Sequence, residues 1–117
     1  MTEHEMKQRT KGFALRVLKL IDSLPDSRSS RVLANQLGRS GTSVGANYRE
    51  AQRARSKAEF IAKPGDCLKE ADETTYWLEL LAASETVKPA KLAPLIEESK
   101  ELTAIFVSII KRSKDNG

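Results

Sequence analysis

Apolar residues recur every three or four positions in four stretches of the chain, the spacing of amphipathic helices rather than of strands. In the first, from about Thr10 to Leu24, Phe13, Val17, Leu20 and Leu24 form one row and Ala14, Leu18 and Ile21 a second. Leu24-Pro25-Asp26-Ser27 ends it, because proline disfavours helix at the residue before it and Asp or Ser can cap the next helix. A second helix is predicted from about Ser29 to Arg53, with Leu33, Leu37, Ser40, Val44, Asn47 or Tyr48, and Ala51 on its stripe.

Ser56-Lys57-Ala58-Glu59 has the spacing of a capping box and announces a third helix that runs to about Ala83. Its stripe is Phe60 or Ile61, Pro64, Cys67 or Leu68, Ala71, Thr74 or Thr75, Leu78 and Leu81. Pro64 followed by Gly65 should bend this helix, with a break there as the alternative. Ser84 to Lys91 reads as a loop, and Leu92 to Ile110 as a fourth helix with Pro94 in its first turn. The most economical burial of these stripes is an all-α, antiparallel up-down-up-down four-helix bundle. A chain of 117 residues makes one such domain, 1–117, with ragged tails expected over about 1–9 and 113–117.

Gly41 and Gly45 each cost a helix interior about 1 kcal/mol relative to alanine. Together with Ser40 and Ala46 they leave little side chain, which would let a neighbouring helix approach the backbone. A phosphate-gripping glycine loop is disfavoured, since no strand precedes them and no Gly-Lys-Ser/Thr follows.

Composition narrows the chemistry. His4, the single histidine, falls in the N-terminal tail expected to be ragged, so neither a Ser/His/Asp triad nor a His-rich metal site is expected, and Cys67 is the single cysteine, so one chain can build no disulfide. Glu70, Glu73 and Glu79 bring helical di-iron sites to mind, but those need a Glu-x-x-His motif on two helices. No catalytic residue, metal site or cofactor is therefore expected. The N-terminus is polar and no apolar run reaches the roughly 18 residues of a membrane span, so a soluble, cytoplasmic protein with no membrane partner is expected.

The net charge of +4 hides a polarised chain. Arg28 to Lys63 carries eight cations against Glu50 and Glu59, whereas Pro64 to Glu101 carries four cations against nine acids. Arg49 and Arg53 share a helical face, Arg55 and Lys57 flank the turn into the third helix, and Arg39 lies most of three turns earlier. Such a cluster can neutralise phosphates, which makes Arg39, Arg49, Arg53, Arg55 and Lys57 the candidate nucleic-acid contacts. Two other readings stand beside it: a solvated helix end, and an interface in which Arg49 and Arg53 meet Glu70 and Glu73 of a neighbouring subunit. Tyr76 and Trp77 suit a core or a subunit interface better than base stacking, and Glu50 is expected to pair with Arg53 or Lys57.

The stretch NQLGRSGTSVGANYREAQRARSKAEFIAK, followed by LKEADETTYWLELL, resembles a bacterial four-helix-bundle family encoded in intervening sequences of 23S ribosomal RNA. That family also includes the accessory variability protein of diversity-generating retroelements. The resemblance covers essentially Phe13 to Ile110, and the departure is KPGDCLKEA, where an unbroken helical stretch would be expected. It implies an antiparallel bundle that assembles into a ring, commonly of five subunits, with no catalytic activity. It also implies partners: the retroelement relative binds nucleic acid alongside a reverse transcriptase, so RNA or DNA and a protein of that kind are the expected partners. The resulting expectation is a non-enzymatic homo-oligomeric bundle offering a basic surface to nucleic acid or a nucleic-acid enzyme. The alternative is a structural ring whose basic and acidic faces pair between subunits.

Overall fold

The computed structural model describes residues 1–115 and places four helices in them: α1 (Glu3–Ser23), α2 (Arg28–Gln52), α3 (Lys57–Ala83) and α4 (Pro89–Asp115). They form the antiparallel bundle that the periodicity predicts, with each helix packed on the next in the chain and α1 touching α4 only lightly. The body is 47 × 22 × 20 Å, and a 27-residue helix alone spans about 40 Å of that length.

Helix boundaries follow local chemistry. Thr2 caps α1 by accepting from the Glu5 amide, and Met6 extends the buried row Thr10, Phe13, Val17 by another turn. The N-terminal stretch expected to be ragged is thus helical from Glu3. Ser27 and Ser56 cap α2 and α3 in the same way, accepting from the amides of Ser30 and Glu59. At the far end, α4 continues to Asp115, and the rest of the stretch expected to be ragged lies outside the described residues. Pro89 opens α4, so Pro94 falls in its second turn instead of its first.

Pro64 does not break α3, which is one continuous helix with Pro64 buried inside it. Its ring cannot donate to the Phe60 carbonyl one turn back, so the first turns of α3 are held more loosely than the rest. The α3–α4 connection is a Schellman closure in which the Thr86 amide donates to Leu81 O and the Glu85 amide to Ala82 O. Glu85 occupies the left-handed position there, at φ 60°, where glycine is usual.

The core runs the length of the bundle through Phe13, Val17, Leu37, Val44, Leu78, Leu81, Leu92, Leu102 and Phe106. Gly41 and Gly45 of α2 sit against α1. A Cβ on Gly41 would lie 2.8 Å from Val17 Cγ1, and one on Gly45 would lie 3.1 Å from Thr10 Oγ1. Buried hydroxyls add polar links between helices: Thr74 donates to Ser40 Oγ at 2.8 Å, and Thr75 and Ser99 share a hydrogen bond at 2.7 Å. Each of the two threonine hydroxyls also lies within hydrogen-bonding reach of the carbonyl four residues back, Glu70 O for Thr74 and Ala71 O for Thr75, so each has an alternative acceptor for its one proton.

Candidate nucleic-acid interface

The antiparallel arrangement decides which cations meet. Tyr48 of α2 and Phe106 of α4 face each other across the core with ring centroids 6.2 Å apart, so the C-terminal ends of α2 and α4 lie at the same end of the bundle. The first turns of α1 and α3 lie there too, because both run antiparallel to those helices. Arg49, Arg53, Arg55 and Lys57 therefore share an end with Lys111, Arg112 and Lys114 from the last turns of α4. The C-terminal cations are legible in the sequence as favourable partners of the α4 dipole, but their place beside the α2–α3 turn comes from topology.

Arg49, Arg53 and Arg55 are exposed, and none forms an ion pair within the described residues. The neighbouring acid, Glu50, pairs with Lys63 at 2.7 Å, not with Arg53 or Lys57 as expected. The Lys63 ammonium holds the Glu50 carboxyl below its ordinary range, and Arg53 adds a smaller effect of the same sign. Glu50 is thereby committed across the α2–α3 corner, and the arginines keep their charge available.

Two grooves open at this end. One lies between α1 and α2, floored by Ala14, Gly45 and Ala46 and edged by Lys11 and Arg49. Gly45, one of the glycines that let the helices approach, also lowers its floor. The second lies between the start of α3 and the end of α4 and is lined by Lys57, Phe60, Ile61, Ile109, Arg112 and Ser113. Lys11, Phe60 and Arg112 are additions to the contacts expected from sequence, where Phe60 reads only as part of the α3 stripe.

Arg39 is apart from this cluster. It sits ten residues before Arg49, about 15 Å along the helix, and its guanidinium grips Glu70 at 3.0 Å and Glu73 at 2.6 Å of the same chain. The hydrogen bond to Glu73 and the charge of both carboxylates raise the Arg39 pKa further. Glu70 and Glu73, taken from sequence as partners for another subunit's arginines, already have one within their own chain.

Tyr76 is 56% exposed on the outer face of α3, its ring 5.1 Å from that of Trp77 and tilted by 59°. Trp77 packs against the core, and its indole N–H is buried with no acceptor among the described residues. Cys67 lies in the core, where burial pushes its thiol up to about 12. Among the described residues, no group of three His, Cys, Asp or Glu converges as a metal site, and no helix is long and apolar enough to cross a membrane.

Comparison with known proteins matches this geometry to one group. A crystal structure of a protein of unknown function from the S23 ribosomal protein family of Bacteroides thetaiotaomicron superposes with a TM-score of 0.87 at 40% sequence identity. The match covers 95% of this chain and 99% of that one. No curated protein matches the chain. The family model for the 23S rRNA-intervening sequence protein matches residues 2–108, and neither finding indicates a catalytic class. With nearly its whole length matched, the chain belongs to the 23S rRNA-intervening sequence protein family.

Proposed function

We propose that this protein is a non-enzymatic, homo-oligomeric bundle whose cationic end binds the phosphate backbone of RNA or DNA, alone or together with a nucleic-acid enzyme such as a reverse transcriptase. The observation that carries the reading is the exposed group Arg49, Arg53 and Arg55, free of ion pairs within the described residues while the neighbouring Glu50 is held by Lys63. Arginines left without carboxylate partners retain their full capacity to displace counterions from phosphates. Membership of a family named for sequences that interrupt ribosomal RNA genes is consistent with it.

The rival, a ring whose basic and acidic faces neutralise each other between subunits, is weakened because Arg39 already occupies Glu70 and Glu73 in cis. We assign assembly, in a ring of five by family resemblance, to the face that carries the exposed Tyr76. Changing both Arg49 and Arg53 to glutamine separates the two readings. Fluorescence anisotropy with labelled RNA and DNA over a salt series should show a loss of affinity and a shallower salt slope, with the oligomer unchanged by light scattering. Dissociation of the oligomer with nucleic-acid affinity intact would transfer these arginines to the subunit interface.

A further inference from the structure

The groove at the α3–α4 corner has a property that phosphate neutralisation does not require. Its floor is apolar, made by Phe60, Ile61 and Ile109, and its flanks are Lys57 and Arg112. Among the described residues that line it there is no acid; the nearest in sequence are Glu59 in the first turn of α3 and Asp115 at the end of α4. It is an open groove of about 390 Å³, at the small end of the range for ligand sites, ~300–1,000 Å³. Phe60 is 40% exposed and stands outside the core cluster, although it begins the apolar stripe of α3.

The ring sits at a corner of the bundle. The chain turns from α2 into α3 within a few residues, and the groove neighbours of Phe60 come from α4. Pro64 cannot donate to the Phe60 carbonyl, which loosens the turn that carries the ring. An aromatic face beside cations is the arrangement that holds an unpaired base, with the ring stacking on it while the cations take the adjoining phosphates. A duplex has its bases stacked inside and offers only its backbone to such a surface.

We infer that the α3–α4 corner groove is a stacking site for a single strand of nucleic acid, with Phe60 as the platform and Arg112 as a phosphate contact. The inference rests on the nucleic-acid reading above and sharpens it from any polyanion to an unpaired strand.

The test uses the full chain and three probes: labelled oligo-uridine and oligo-thymidine of roughly 10 nucleotides, and a duplex of the same length. Phe60→Ala should weaken both single strands by about 5- to 150-fold, the equivalent of losing one stacked base, and leave the duplex unchanged. Phe60→Leu should behave like Phe60→Ala, because leucine keeps the apolar volume but has no aromatic face. Phe60→Trp should restore binding. In a Trp77→Phe background that new indole should also be quenched by the oligomers, a direct signal of stacking.

A preference between the uridine and thymidine probes would distinguish RNA from DNA as the natural strand. Several outcomes overturn the inference. If Phe60→Ala leaves single-strand affinity intact while the Arg49/Arg53 double variant loses it, Phe60 is no platform and the general reading survives. Equal losses on single strands and duplex would mean that Phe60 acts through the fold. No binding of any probe by the parent protein removes both readings together.

Discussion

Gly41 illustrates how far a single position can be reasoned. Its cost to the helix suggests close packing, and the partner turns out to be Val17, whose Cγ1 would stand 2.8 Å from an added Cβ. Gly65 is the control: nothing lies within 4 Å of its would-be Cβ. Gly65→Ala should therefore stabilise the protein by up to about 1 kcal/mol, through helix propensity and a less flexible unfolded chain. Gly41→Ala should destabilise it by up to about 2 kcal/mol, the strain of overpacking less the same propensity gain. Urea unfolding of the two variants measures both, and stabilisation of Gly41→Ala would show that α1 moves aside at no cost.

Charged residues were less legible than glycines. Periodicity places Arg39 and Glu73 each on a helix face, but whether they meet depends on the register between two helices. That register is set by contacts such as Ser40 with Thr74, one residue beyond each partner. Glu50 went to Lys63 for the same reason. A residue thirteen positions away in sequence comes within reach only after the α2–α3 corner has formed.

At the scale of elements, the stripes of the four helices carried most of the information, and their ends carried the surprises. Met6 is a lone apolar residue in a polar segment, so the first turns of α1 show no periodicity strong enough to read without Thr2 as cap. Pro64 was legible as a disturbance inside one helix, and α3 does run on through it unbroken. Packing of its ring inside the bundle offsets the lost hydrogen bond.

The α3 C-terminus offers a sharper test of local energetics. Glu85 holds a left-handed backbone at φ 60°, a conformation that costs an ordinary residue on the order of 1 kcal/mol and glycine little. Glu85→Gly should raise stability by a few tenths to about 1 kcal/mol, because the Schellman hydrogen bonds are retained while the strain is removed. Thermal unfolding followed by circular dichroism should show a melting temperature a few degrees higher. A lower one would mean that the added freedom of glycine in the unfolded chain outweighs the relief.

For the molecule as a whole, the seam between the first and last helices is the thinnest part. It is bridged by Arg9, which donates to Glu98 from Nε at 2.8 Å and from Nη2 at 2.6 Å, and reaches Glu101 at 2.8 Å. The Arg9 hydrogen bonds hold the Glu98 carboxyl below its ordinary value of 4.5, against the opposing effect of burial. A carboxyl whose pKa is lowered by folding adds stability above its unfolded pKa and loses it as pH falls through the folded one. Unfolding free energy should thus decline below about pH 4.5 as Glu98 takes up its proton. Glu98→Gln should cost roughly 1–2 kcal/mol near neutral pH and flatten that decline. An unchanged acid limb in the variant would place the sensitivity at other carboxylates.

The shared end of the bundle also matters for anyone who handles the protein. The start of α1 and the finish of α4 both emerge beside the arginine cluster and the Phe60 groove. A peptide tag joined to either terminus of this chain would hang over the surface proposed to hold nucleic acid, and a polyhistidine tag there would add charge of its own as the pH falls. Opening the chain instead between α3 and α4, and joining the old termini with a flexible linker, would carry any tag to the opposite end, about 40 Å away along the helices. Comparing the permuted and terminally tagged proteins would separate the chemistry of the protein from that of its handle.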